Sequence, residues 1–237
     1  MPWEWTEEWK LRNCIYPMYL SLPLRLVKNL GIDSRWLVRT MPTIAHLPVV
    51  FLSDIYIWRV SKRLFGKDCA RLCFLLVFLN NFQTRFMIRT LTNAVEQMFT
   101  VVAFSYFIDQ KNKFNFNTVV LTALITVSFM IRNTSPVGWL PLLGYKVLFE
   151  GSLVPFIKSG IFVALPILFF LVWVDTEFYH SDKWVLTGYN FLEMNVLLGL
   201  SKYFGEEPWY NYLFIEIPKY TTLMYFFLPF AWYHHFK

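Results

Sequence analysis

Seven apolar stretches, 44–60, 69–88, 94–108, 119–131, 137–149, 160–174 and 223–233, follow one another with only short polar breaks between them. A chain that is 56% hydrophobic and only 16% charged cannot cover so many apolar segments with its own polar surface; soluble domains carry about 25% charge. Aromatic residues make up 20% of the chain, and Tyr and Trp are favoured where hydrocarbon meets headgroups. The pattern predicts an all-α fold, a polytopic transmembrane helical bundle with interfacial segments. Several stretches fall short of the roughly 20 residues that a crossing helix needs. Real spans must therefore borrow flanking polar residues, and some stretches are expected to be half-helices held inside the bundle. Asp54, Asn80, Asn81, Gln83 and Arg85 then lie at membrane depth and should face the protein interior or a wet cavity.

Organisation follows from the same pattern. No internal repeat, Gly/Ser linker or low-complexity tract divides the chain, which reads as one membrane domain: a lumenal or interfacial segment 1–43, a helical bundle 44–174, a lumenal segment 175–222 and a terminal helix 223–237. Lys62, Arg63 and Lys67, then Lys111 and Lys113, then Lys146 and Lys158 fall on one side if the six stretches from 44 to 174 each cross once. The positive-inside rule makes that side cytosolic. The residues around Arg89, those from Arg132 to Pro136 and the chain after Asp175 are then lumenal. The N-terminus has no basic start followed by an apolar run, so no signal peptide is expected there. A net charge of +6 is scattered along the chain and forms no long run; it reads as loop charge and headgroup contacts, with no nucleic-acid partner.

Much conventional chemistry is missing. The sequence has no Walker-type loop, G-x-G-x-x-G, H-E-x-x-H or G-x-S-x-G, and no D-x-D pair to hold a divalent metal on a sugar nucleotide. His46, His180, His234 and His235 lack metal-ligand spacing. Cys14, Cys69 and Cys73 make no disulfide framework, and the last two read as small helix residues one turn apart. No metal and no cofactor is expected.

Three clusters could carry chemistry. In Trp3-Glu4-Trp5-Thr6, followed by Leu11-Arg12-Asn13 and Tyr16-Pro17, an acid stands between two indoles. A carboxylate on sugar hydroxyls and indole faces on the ring would hold a sugar; an interfacial aromatic anchor with surface charges is the alternative. In the second cluster, Arg85 and Arg89-Thr90-Leu91-Thr92-Asn93 precede Glu96. Helical spacing would put Arg85 and Arg89 on one face, where two guanidiniums grip a phosphate, or pair with Glu96 or lipid headgroups. The third, Arg132-Asn133-Thr134, closes an apolar run on the same side. Asn133-Thr134-Ser135 is formally a glycosylation sequon, disfavoured by Pro136 and the nearby membrane. The polar and aromatic residues Asp175, Phe178, Tyr179, Tyr189, Asn190 and Asn195 read as packing of a lumenal amphipathic segment or as a lid over an acceptor.

At these residues the chain resembles the dolichyl-phosphate-mannose-dependent mannosyltransferases of the glycosyltransferase 22 group, of GT-C fold. Trp3 to Pro17 is similar to that family's W-E-W…L-R-S…Y-P, with Asn13 where Ser is usual. Arg89-Thr90-Leu91-Thr92-Asn93 with Glu96 resembles R-T-L-T-N…E, in wording nearest the members that add the third mannose of the GPI anchor. The residues from Phe129 to Thr134 resemble F-I-I-R-P-T, departing at Met130 and Asn133. Asn190-Phe191-Leu192, Asn195-Val196-Leu197, Phe204-Gly205 and Pro208-Trp209 resemble N-F-L-x-x-N-V-L…Y-G-x-x-P-W. The resemblance implies a multi-pass protein of the endoplasmic reticulum membrane. It implies transfer of an α1,2-linked mannose from a dolichyl phosphate mannose donor to a GPI lipid acceptor. Trp3, Glu4, Trp5, Arg12, Arg89 and Arg132 are the residues expected to bind substrate, the last two on the phosphate. The family's H-P-D-E-type segment with the expected base would lie before Met1, and further helices after Lys237, so no residue here takes the base role. A non-catalytic membrane subunit or inactive fragment that binds lipid-linked sugar is the competing expectation.

Overall fold

A computed structural model describes residues 3–6, 8–32, 34–200, 202, 205, 207–221 and 224–235. Among them every regular element is helical. Helix α1 (Ile15–Asn29) and α2 (Arg35–Phe65) are joined by a short turn, and Ser34 caps α2 by accepting a hydrogen bond from the Leu37 N–H at 3.3 Å. Tyr16 and His46, nearly equidistant along the chain from that turn, meet at 3.0 Å between the Tyr hydroxyl and His Nδ1. The two helices therefore fold back on one another. The expected segment boundary at residue 43 falls inside α2, which continues unbroken through Pro42 and Pro48.

Gly66 ends α2 at φ 86°, a left-handed conformation that a side chain resists. Chain direction then reverses into α3 (Lys67–Leu79). The apolar stretch 69–88 is not one helix: it breaks at Asn80, whose extended backbone ends α3 and whose side-chain oxygen accepts from the Gln83 N–H at 3.1 Å to start α4 (Asn81–Met87). Asn competes with helical hydrogen bonding in this way because its short amide reaches nearby backbone. A half-helix is thus present where the polar residues were expected to lie at membrane depth.

Helices α5 (Thr92–Asp109) and α6 (Phe116–Ile131) form the centre of the bundle, with α5 packed on α2 as well as on α6. Asn115 caps α6 by accepting from the Thr118 N–H at 3.1 Å. One apolar cluster joins Tyr16, Val49, Val95, Met98, Val102 and Ile131; a second joins Ala103, Phe107, Leu121 and Trp139. Helix α7 (Pro136–Glu150) opens on a proline, which fits the first turn because its missing N–H would be unpaired there. Helices α8 (Leu153–Ser159) and α9 (Leu165–Phe178) run on through a π-helical turn at Gly160–Ala164 as one 26-residue helix.

By length and composition, Arg35–Phe65 and Leu153–Phe178 can cross a membrane, and Phe116–Ile131 is a shorter apolar helix. At 1.5 Å per residue, the 18 residues of α5 and the 16 of α6 reach about 27 and 24 Å. Both fall slightly short of a hydrocarbon core of about 30 Å.

The segment after Asp175 is largely helical, with α10 (Thr187–Leu192) continuing into a π turn at Glu193–Leu197. α11 (Trp209–Asn211), a second π turn and α12 (Ile217–Thr221) follow, then α13 (Met224–His235). The beginning of the expected terminal helix, and its last two residues, lie outside the described residues.

The bundle has two chemically different ends. At the basic end an Arg63–Asp109 ion pair ties α2 to α5, and the buried Lys146 ammonium donates to the Gln110 carbonyl and to Glu150, both at 2.9 Å. Residues of the motif clusters gather at the other.

Candidate active site

Four segments that are distant in sequence meet at the motif end. The first, the N-terminal loop, starts with a 3₁₀ turn at Trp3–Trp5. Glu4 Oε1 accepts from Arg12 Nε at 3.2 Å and from Nη2 at 3.0 Å, and the Leu11 N–H closes the loop on the Glu4 carbonyl at 2.9 Å. The Arg12 guanidinium also lies over the Phe191 ring, 5.3 Å from its centroid, which brings α10 into contact with the loop. The Trp5 indole donates to the Asn13 carbonyl at 3.3 Å, whereas the Trp3 side chain lies outside the described residues. Glu4 and Arg12 thus form one charge-assisted pair.

Asp175, at the end of α9, is fully buried and fixes this loop from below. Its Oδ2 accepts from Asn13 Nδ2 at 2.8 Å and from the Thr187 hydroxyl at 3.3 Å, while Oδ1 accepts from the Cys14 backbone N–H at 2.9 Å. Burial, and then the Asp175 carboxylate, push the Cys14 thiol well above its ordinary range, so it is a packing residue with little thiolate character. Around this centre the Tyr179 hydroxyl donates to the Arg12 carbonyl at 2.7 Å, Asn190 Nδ2 to the Lys10 carbonyl at 3.2 Å and Lys10 Nζ to Ser181 Oγ at 3.1 Å. Sequence reasoning placed Asp175 and Tyr179 in the amphipathic segment and missed that they hold the N-terminal loop. An aspartate directly after a long apolar run was the available signal, because a buried carboxylate must find donors.

The third segment is the α4–α5 connection. Helix α4 ends at Met87, so Arg89 sits in a bend and does not share a helical face with Arg85; the expected common face is corrected by this early stop. Both arginines are exposed, and Arg89 has no ion-pair partner among the described residues. Glu96 is engaged elsewhere: Arg132 Nε, on the fourth segment, lies 2.7 Å from Glu96 Oε2. Arg132 also bonds Thr134 Oγ1 at 3.1 Å and, through Nη1, the Asn93 side chain. Below it lies an apolar cleft of about 310 Å³ that Tyr16, Val49, Val95, Met98 and Ile131 help to line.

Helix α10 connects the two halves. A methyl group added to Gly188 would stand 3.2 Å from Phe129 Cζ and 3.8 Å from Asn133 Oδ1, so glycine allows α10 to approach the end of α6 closely. Thr187 beside it is bonded to Asp175. Glu4, Arg12, Asp175, Arg132 and Glu96 therefore belong to one end of the bundle, with Arg89 in the adjacent bend. Among the described residues no group of three or more His, Cys, Asp or Glu side chains could hold a metal.

These features define an integral-membrane helical protein with two arginine-bearing ion pairs, Glu4–Arg12 and Glu96–Arg132, at one end. The chain belongs to the Alg9-like mannosyltransferase family, whose model matches residues 1–237, and shares that family's polytopic GT-C architecture. It is 31% identical over 217 residues to a bovine (Bos taurus) protein named GPI alpha-1,2-mannosyltransferase 3, covering 90% of this chain and 38% of the relative. The human (Homo sapiens) protein of the same name is 29% identical over 213 residues, with 90% and 38% covered. The GPI mannosyltransferase 3 of Debaryomyces hansenii is 27% identical over 225 residues, with 91% and 40% covered. The chain thus spans about two fifths of the length of these relatives. No solved structure matches it.

Proposed function

We propose that this chain carries the substrate-holding part of an enzyme of the endoplasmic reticulum membrane that transfers mannose from dolichyl phosphate mannose to a GPI-anchor precursor. The bond formed is the α1,2 linkage of the third mannose. The observation that carries this reading is Arg89: an exposed guanidinium without a carboxylate partner among the described residues, in the bend that leads into α5, whose Glu96 is paired with Arg132, in a chain of mannosyltransferase lineage.

In an inverting transfer the acceptor hydroxyl oxygen bonds to the anomeric carbon while the bond from that carbon to the phosphate oxygen breaks, and a base takes the hydroxyl proton. Negative charge grows on the departing phosphate. Guanidiniums aimed at it lower the barrier by favouring that charge over the starting state. Arg89 takes this role directly, with a planar fork able to bond two oxygens at once, and Arg132 adds its positive charge from the end of α6. Glu96 and Asn93 keep Arg132 in place. The cleft lined by Ile131 is suited to an isoprenoid chain because its lining is apolar. Glu4 and Arg12 face sugar hydroxyls as one polar pair.

The test is an assay of radiolabelled dolichyl phosphate mannose and an acceptor with two mannoses, in membranes that contain this chain in place of the matching segment of the bovine relative. Formation of a three-mannose product that Arg89→Lys reduces at equal protein level supports the reading. Product that is formed equally well by the substituted protein contradicts it.

A further inference from the structure

The buried Asp175 carboxylate does more than fill a gap at the end of α9. It is fully buried, and it takes hydrogen bonds from two segments far apart in sequence: Asn13 and Cys14 at one side, Thr187 at the other. A buried carboxylate with its donors removed is costly, and the donors lose as much, so the three contacts form and break together. Asn13 has a second task, since its Oδ1 accepts from the Ile15 N–H at 3.0 Å and starts α1. Immediately before Asn13 comes Arg12, whose guanidinium is bonded to Glu4 and stacked on Phe191, and whose carbonyl accepts from Tyr179. Any shift at residues 13 and 14 therefore moves the Glu4–Arg12 pair relative to α10.

We infer that Asp175 is a positioning residue: it pins the N-terminal loop to the start of α10 through Asn13, Cys14 and Thr187, and so sets where the Glu4–Arg12 pair stands against a bound sugar. The functional half rests on the sugar-binding reading proposed above; the pinning itself is readable without it. The amide of Asn13 spans the gap to Asp175 with one bond and caps α1 with the other.

Cys14 supplies the readout. Its side chain is fully buried beside Val174 and Asp175, whereas Cys69 is exposed and Cys73 half-buried. With Cys69→Ser and Cys73→Ser as background, the rate at which Cys14 in intact membranes reacts with a small membrane-permeant maleimide measures how often the loop lifts. Asp175→Ala should raise that rate about ten- to hundredfold, the range expected for losing a satisfied buried partner. Asp182→Ala, an exposed acid in the following loop, should leave it unchanged. Asn13→Ala tests the same contact from the other side should Asp175→Ala fail to accumulate, and should give a smaller rise because Cys14 and Thr187 still hold the carboxylate. In the mannose-transfer assay, Asn13→Ala should raise KM for the sugar substrate more than it lowers kcat, since the polar pair is displaced while Arg89 is untouched. Because the lost Asp175 charge by itself favours the Cys14 thiolate, Asn13→Ala, which keeps that charge, decides: Cys14 as protected in Asn13→Ala as in the unsubstituted chain would overturn the inference, whatever Asp175→Ala shows. Faster labelling with no change in KM would leave the pinning intact and refute only the sugar-facing role of Glu4 and Arg12.

Discussion

Arg132 Nε stands 2.7 Å from Glu96 Oε2, so the residue that ends α6 is bonded to the first turns of α5. The pair sits at the motif end of the bundle, with both side chains about a quarter exposed (28% and 25%). It has two consequences. It fixes Arg132 at the edge of the apolar cleft, and it removes Glu96 as a partner for Arg89.

Glu96→Gln should destabilise the protein by about 1–2 kcal/mol, between the value of an exposed pair and that of a buried one. Thermal unfolding in detergent should show a lower midpoint, together with lower steady-state abundance. An unchanged midpoint would mean that the pair contributes nothing to the bundle.

Arg89→Lys should behave differently. Because Arg89 has no ion pair to lose among the described residues, abundance and melting should stay near those of the unsubstituted protein. Transfer per folded molecule should fall about tenfold or more, since an ammonium cannot reproduce the planar fork on a phosphate. The loss should fall on kcat if the contact strengthens as the phosphate leaves, and on donor KM if it is equal throughout. Near-normal transfer per folded molecule would remove Arg89 from the site.

The Arg63–Asp109 ion pair places the C-terminal ends of α2 and α5 at one face. Cysteines at Lys62 and Lys111 should therefore be labelled by an impermeant reagent from the same side, and the positive-inside rule makes that side the cytosol. Labelling of either from the lumen would reverse the orientation.

Gly188→Ala should cost about 1 kcal/mol, because its new methyl group would press on Phe129 Cζ at 3.2 Å and the ring must shift in a packed position. The same shift displaces Asn133 next to Arg132. A melting temperature equal to that of the unsubstituted chain would show that α10 and α6 are not tightly apposed.

What could be read from the sequence followed physical reach. Apolar runs gave the helices of the bundle because burial in lipid leaves the backbone few other solutions. The break at Asn80 was visible as polar residues inside an apolar run, but its position depended on Asn80 capping the next helix. Arg85 and Arg89 looked like one helical face since spacing says nothing about an early helix end. The Arg132–Glu96 and Asp175–Asn13 contacts were hidden for another reason: each joins segments whose separation is set by packing of the whole bundle, and no local pattern encodes it. Asn13 departs from the family's usual Ser in the sequence alone, but its partner Asp175 lies 162 residues away and is brought to it only by the fold.

On the function proposed above, residues 1–237 hold the substrates of a GPI mannosyl transfer. The most direct measurement replaces the matching segment of the bovine relative by this chain and expresses the chimera in cells lacking the third GPI mannosyltransferase activity. Lipid extracts labelled with mannose should then contain the three-mannose GPI intermediate, and GPI-anchored proteins should return to the surface. A chimera that is stable and membrane-inserted, but leaves the two-mannose intermediate to accumulate, would contradict the account.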